Sequence, residues 1–252
     1  MSKKSEDGIG ADRRVFLKLV GVAGAVTALP FTDAAAGAKA PAAPSGAKHV
    51  HATKPAIAQP ASDGFKFFNT NESAFVEAAV DTLIPADSVG PGALEVGVAT
   101  YIDRQMAAGY GKGDRLYLEG PFDPGVPQQG YQLAMTPSEL IRIGIVDVNA
   151  HTQKRFNKTF DSLSNTDRAA VMADLDARKI DLPNVPTETF FGLLLQLTVE
   201  GYFADPLYGG NKEKASWKMI GFPGANAMYM DKIEPFRNKP YTAEPLGIQD
   251  LA

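Results

Sequence analysis

Between Pro186 and Phe203 the chain carries Phe190, Phe191, Leu193, Leu194, Leu195, Leu197, Val199, Tyr202 and Phe203, which leave hardly any polar face. A helix without a polar face must be enclosed by other elements, so this segment alone predicts a helical domain assembled around it. Glu200 is its one charged residue after Glu188. Enclosed there, its carboxyl would need a partner or a proton, because an isolated charge in apolar surroundings is costly.

The flanking sequence supplies the enclosing helices. From Thr70-Asn71-Glu72-Ser73, the positions Phe75, Val76, Ala79, Val80, Leu83 and Ile84 repeat at helical spacing until Pro85 stops them. After the turn Asp87 to Gly92, a second helix is expected to about Ala107, with Leu94, Val98, Tyr101 and Ile102 on one face. Residues 109–127 read as a Gly/Pro-rich loop with at most a short helical turn near Arg115 to Leu118. Thr136-Pro137-Ser138-Glu139 combines a capping box with proline at the first helical position. It starts a long helix expected to reach Phe160, with Ile141, Ile145, Val148, Phe156 and Phe160 as its inner stripe.

Ser164 caps a shorter helix that should end near Arg178 with its basic end at the C-terminal pole. Lys212 to Ile220, carrying Trp217, reads as another helix, broken by Gly221-Phe222-Pro223-Gly224. The remainder, with Pro235, Pro240 and Pro245, reads as an extended arm. Strand signals are nearly absent. The expectation is one all-α, irregular helical domain over residues 65–252.

The first residues read as an address. Arg13-Arg14-Val15-Phe16-Leu17-Lys18 precedes a modest apolar run from Leu19 to Leu29. Paired arginines before such a run mark a twin-arginine export signal, here Arg13, Arg14, Phe16, Leu17 and Lys18, read by the twin-arginine translocase. The run is too short for a bilayer core of roughly 30 Å, which takes about 20 apolar residues. Small residues offer cleavage after Ala36 or Ala38, and a signal of residues 1–36 is adopted. Residues 37–64, rich in Ala, Pro and small polar residues, read as a disordered linker holding His49 and His51. This leader predicts a periplasmic protein, and the twin-arginine route carries cargo that is already folded, often with its cofactor in place.

Yet equipment for chemistry is scarce. The chain has no cysteine, which removes disulfides, thiolate nucleophiles, cysteine-held iron–sulfur clusters and covalent c-type haem. Its third histidine is His151, and the flexible His49/His51 pair lacks further ligands. A net charge of -4 offers no basic footprint for nucleic acid. Gly109, Gly111 and Gly113 follow no predicted strand and lack the lysine and hydroxyl spacing of a phosphate loop. The remaining acid–base candidates are Glu200 with Asp205, and His151, whose geometry the sequence does not enforce. They leave open a stand-alone periplasmic hydrolase or small-molecule binding protein as the alternative to a subunit. The loop Asp205 to Asn211 fits either an internal turn or a partner interface, with Tyr208 and Trp217 as anchors.

Two distant blocks then stand out. Thr82-Leu83-Ile84-Pro85-Ala86-Asp87, with Gly90-Pro91-Gly92-Ala93 and Tyr101-Ile102-Asp103, forms the first. Glu200-Gly201-Tyr202-Phe203-Ala204-Asp205-Pro206-Leu207-Tyr208-Gly209-Gly210-Asn211, through Trp217 to Gly224, forms the second. With the leader, they resemble the small (gamma) subunit, subunit 3, of membrane-bound gluconate 2-dehydrogenase, over roughly Phe65 to Gly224. The resemblance implies a periplasmic heterotrimer associated with the membrane. A large subunit carries FAD and oxidises a sugar or sugar acid, and a cytochrome c subunit with haem c passes electrons to quinone. The small subunit, with no cofactor or catalytic residue of its own, escorts the flavoprotein through export. Similar small subunits serve fructose, glucose and 2-ketogluconate dehydrogenases. Pro91, Gly92, Glu200, Asp205, Pro206, Tyr208, Gly209, Gly210, Asn211 and Trp217 are thus the candidates for a partner interface or a structural loop.

Overall fold

A computed structural model describes residues 64–251 apart from Pro124 and Ala227. The export signal, its cleavage site, and the linker with His49 and His51 lie outside the described residues. Seven α-helices occur among those described: α1 (Thr70–Leu83), α2 (Val98–Ala107), α3 (Pro137–Phe156), α4 (Asn165–Asp176), α5 (Thr187–Phe203), α6 (Ala215–Ile220) and α7 (Met230–Ile233). No strand forms among the described residues, and one isolated parallel bridge joins Gly224 to Leu246. The all-α expectation holds.

The helix starts follow from side-chain caps. At α1 the cap is Asn69, one residue ahead of the predicted opening. Its side chain accepts the N–H groups of Asn71 and Glu72, and Glu72 returns a bond to the Asn69 N–H. Thr136 and Glu139 form the predicted capping box at α3 with Pro137 in the first turn. Ser164 accepts the Asp167 N–H at α4.

The centre is α5, which touches α1, α2, α3, α4 and α6. Phe190, Leu194 and Leu197 are fully enclosed. Gly144 of α3 leaves room for the Phe190 ring, where a Cβ would collide with it. Phe75 of α1 meets Phe160 at a ring separation of 4.9 Å. The segment before α1 is held by Asp103 of α2, whose buried carboxylate accepts the N–H groups of Lys66, Phe67 and Phe68 at 2.7, 2.9 and 2.9 Å. Asp147 of α3 similarly takes the Asn184 backbone N–H (3.0 Å) and side-chain amide (2.7 Å), fixing the approach to α5.

Several expectations need correction. The core helix has a wet side. Gly192, Gln196 and Glu200 are exposed and Leu195, Val199 and Phe203 half-buried, because the surrounding helices cover α5 only in part. The second helix begins at Val98, not after Gly92. Residues 94–97 turn instead, so Leu94 faces solvent rather than the core. The third stops at Phe156 on a left-handed Asn157 (φ 55°), and Phe160 reaches the core from a separate 3-10 turn, Phe160–Ser162. Its N–H is taken by the Asn149 side chain at 3.0 Å.

The fourth helix ends at Asp176 with no basic residue in its last turn, and Arg178 lies beyond it, paired with Glu188. Residues 109–126 form the expected loop, with hydrogen-bonded turns over 109–115. The predicted helix over 212–220 divides into a 3-10 turn, Lys212–Lys214, and α6. The arm is not extended throughout, since it contains α7 and a 3-10 turn at Ile248–Asp250.

Candidate partner-facing site

The two sequence blocks, one ending at Asp103 and the other beginning at Glu200, meet at one end of the domain. The loop that leads into α2 is shaped by Asp87, whose carboxylate accepts the N–H groups of Val89 (2.8 Å) and Gly90 (3.1 Å). Ala93 N–H returns to the Ile84 carbonyl at 2.8 Å, drawing Pro91 and Gly92 against the end of α1. The loop that leaves α5 docks onto this turn. The Tyr202 hydroxyl donates to the Pro91 carbonyl (2.8 Å), and Lys212 N–H donates to the Val96 carbonyl (3.0 Å). Gly97, at φ 84°, occupies the left-handed region where glycine carries no Cβ penalty. A Cβ there would lie 2.9 Å from the Gly209 carbonyl oxygen. Gly210 packs directly on the Gly201 carbonyl.

Three side chains fix the second loop. Asp205 is buried, and its two oxygens accept the N–H groups of Leu207 (2.9 Å) and Ile248 (2.7 Å), so it ties the chain end to the loop. Asn211 is fully buried in a left-handed conformation (φ 47°). Its amide donates to the Ala204 carbonyl (2.9 Å), and its oxygen accepts from Ser216 N–H (2.9 Å) and hydroxyl (2.7 Å). Trp217 is buried as well, its indole N–H on the Phe203 carbonyl at 2.8 Å and its ring edge-on to Phe222.

Of the ten candidates, Gly92, Asp205, Gly210, Asn211 and Trp217 are therefore buried, Pro91, Pro206 and Gly209 are half-buried, and only Glu200 and Tyr208 face solvent. The blocks act first as mutual cement. Trp217 contributes its ring to the domain's interior rather than to the surface.

Glu200 is held on that surface by the Tyr101 hydroxyl (3.3 Å) and the Gln196 amide (2.7 Å). Burial, then the Glu200 charge, pushes the Tyr101 phenol well above its ordinary range, and the same two causes raise Tyr110. Tyr131 is pushed up to about 12, by burial first and then by Glu139. At neutral pH these phenols stay protonated, and those of Tyr101 and Tyr131 donate to Glu200 and to the Met135 carbonyl. Tyr110 and Tyr131, with Leu193 and Gln196, line an open groove of about 520 Å3 whose lining residues contain no Lys, Arg or His. With both Asp205 oxygens committed to backbone N–H groups, Glu200 and Asp205 do not form an acid–base pair.

His151 lies on α3 among Arg155, Lys154 and Asp174, none of which belongs to the joined loops. Its Nε2 is buried with no hydrogen-bond partner. Burial lowers its pKa below the ordinary 6.5, Arg155 and Lys154 lower it further, and Asp174 opposes them. A depressed folded-state pKa means that the unfolded chain takes the proton first. The stability this residue contributes is complete above pH 6.5 and is lost as pH falls towards the lowered value. Urea titrations at pH 7.5 and 5 should show a smaller acid loss for His151→Gln than for the native chain; equal losses would exclude His151 as a source.

Residues 70–224 match the sequence profile of the family Gluconate 2-dehydrogenase subunit 3. The chain belongs to that family. No curated protein and no solved structure matches it. The matched span begins with the first residue of α1 and ends at Gly224, so it takes in both joined loops and all of α5. Subunit 3 membership makes this chain a component of a gluconate 2-dehydrogenase type of oxidoreductase complex. What sequence reasoning missed within that span is Asp103. Tyr101-Ile102-Asp103 carries part of the resemblance, but a lone aspartate on an apolar helix face gives no local sign of the distant N–H groups it accepts.

Proposed function

We propose that this chain is the non-catalytic small subunit of a periplasmic, FAD-dependent gluconate 2-dehydrogenase-like complex, and that it escorts the flavoprotein subunit through twin-arginine export and stabilises it there. The family match over residues 70–224 carries this reading. The leader centred on Arg13 and Arg14 supports it, since a signal for folded cargo on a cysteine-free chain is explained if the cargo is a second polypeptide. In this reading FAD resides in the large subunit and haem c in the cytochrome subunit, and the complex sits at the membrane through its partners.

Co-expression followed by fractionation tests it. With the native chain, the flavin-bearing subunit is expected in the periplasm; with Arg13→Lys and Arg14→Lys together, both chains stay in the cytoplasm. Purification through this subunit should bring flavin and haem absorption with it. An exported, active flavoprotein in cells lacking this chain refutes the escort role.

A further inference from the structure

The turn that precedes α6 is held against its own sequence. Lys212-Glu213-Lys214-Ala215-Ser216-Trp217 follows Asn211, a residue that favours helix N-caps, and its composition suits the continuous helix expected from Lys212 to Ile220. The structure instead starts α6 at Ala215, because Glu213 and Lys214 stand in the left-handed region at φ 58° and 57°. They are the only adjacent pair of left-handed non-glycine residues among those described. In that region the Cβ crowds the following carbonyl oxygen, and neither residue has the short polar side chain by which Asn or Asp offsets the penalty.

Asn211 secures the start of the turn through Ser216. What secures its far end lies outside it. The Lys214 ammonium donates to the Pro245 carbonyl (3.0 Å) and pairs with Asp250, whose carboxylate also accepts the Gly247 N–H (2.7 Å). The strap so formed, residues 245–251, is itself lightly attached. It is tied by Leu246 N–H on the Pro223 carbonyl (3.1 Å), by Ala225 N–H on the Leu246 carbonyl (2.7 Å) and by Ile248 N–H on Asp205 (2.7 Å). Leu246, Ile248 and Leu251 are 40%, 42% and 54% exposed, so hydrogen bonds rather than apolar burial hold it. Elements attached in this way open far more readily than a packed core. Lys212, in the same turn, gives its N–H to Val96 and lays its side chain against Gly97, so a change in the turn reaches the seam between the two blocks.

We infer that residues 245–251 are a latch on a two-state turn. Docked, the strap holds Glu213 and Lys214 left-handed through the Lys214 ammonium. Released, the turn rewinds into right-handed helix, extends α6 back to Lys212 and slackens the seam at Val96. Strain in the turn biases the strap towards release, and the bonds of the strap bias the turn towards strain, so each state of one selects a state of the other.

Backbone NMR and amide exchange on the full mature chain test this coupling. In the native chain the HN–Hα couplings and Cα shifts at Glu213 and Lys214 should report left-handed residues. Lys214→Met together with Asp250→Ala removes the latch and leaves a good helix former in the turn. Exchange at Leu246 and Ile248 should then quicken at least about tenfold, and positions 213 and 214 should take right-handed helical values. Glu213→Gly acts in the opposite direction: it relieves the docked turn of a Cβ and disfavours the rewound helix, and should slow the same two amides about fivefold. Glu213 is exposed and makes none of the strap's bonds, so this variant touches only the conformational balance. A strap that opens while 213 and 214 stay left-handed overturns the latch. So does unchanged exchange at Leu246 and Ile248 in Glu213→Gly, which decides the question even where the double variant fails to fold.

Discussion

Asp103→Ala will destabilise the domain by about 3–5 kcal/mol, the largest effect expected from any single polar residue outside the joined loops. The carboxylate accepts three consecutive backbone N–H groups, those of Lys66, Phe67 and Phe68, and the last of these bonds is buried. Hydrogen bonds to a charged acceptor contribute roughly 1.5–3 kcal/mol each, and their loss strands donors that have no helix or strand to join. Phe68 is in the core, and Phe67 lies under the Arg142 guanidinium at 4.1 Å. Arg142 in turn reaches Glu72 (2.7 Å) and the Phe67 carbonyl (2.9 Å), so release of the segment also loosens the start of α1. Asp103→Asn, which keeps an acceptor oxygen but turns an N–H2 towards a donor, should lose less than the alanine variant. Urea unfolding of the three proteins reads the order directly. A loss below about 1 kcal/mol for Asp103→Ala would mean that the segment is held by its aromatic contacts instead.

Asn211→Leu is expected to be comparably severe, at about 3–5 kcal/mol, and to act through the junction of the two blocks. Three bonds would vanish: the Ala204 carbonyl loses its donor, and Ser216 loses its acceptor for both N–H and hydroxyl. Buried groups stranded in this way cost about 1–3 kcal/mol each. The backbone adds to the loss, because Asn211 is left-handed at φ 47°, a conformation asparagine tolerates far better than leucine. Glu213 and Lys214, also left-handed, follow in the same turn and have no comparable side-chain anchor within it, so Asn211 is what holds the turn closed. The Lys212 N–H to Val96 bond would open, and hydrogen exchange should report faster exchange at Lys212 and Ser216 before global unfolding. Native exchange rates in that turn would refute the anchoring role. If the joined loops also brace the partner surface, the same variant should weaken flavoprotein binding in proportion to the opened population.

Much of the fold is legible in local pattern. The Thr136 to Glu139 box, the Ser164 cap and the Pro85 stop each depend on residues within one helical turn, and the structure places all three as read. The errors have a common origin. Phe160 fits the helical period of α3, but Asn157 and the distant acceptor Asn149 divert the chain before it. Leu94 fits the period of α2, but the second block draws residues 94–97 into a turn by taking the Val96 carbonyl. Hydrophobicity likewise marks α5 as central but cannot show how much of its circumference the neighbouring helices cover, which is why Glu200 is solvent-facing and hydrogen-bonded rather than enclosed.

By itself the sequence determined the helical class, most of the helix starts and the two blocks that mark subunit 3, because apolar period, caps and prolines act over a few neighbouring residues. Only the tertiary structure decided that the blocks close on each other, that Trp217 and Asp205 point inward, and that Glu200 stays on the surface. Those outcomes depend on which backbone groups and side chains meet across more than a hundred residues. Such meetings are set by the packing of whole helices and leave no periodic trace along the chain.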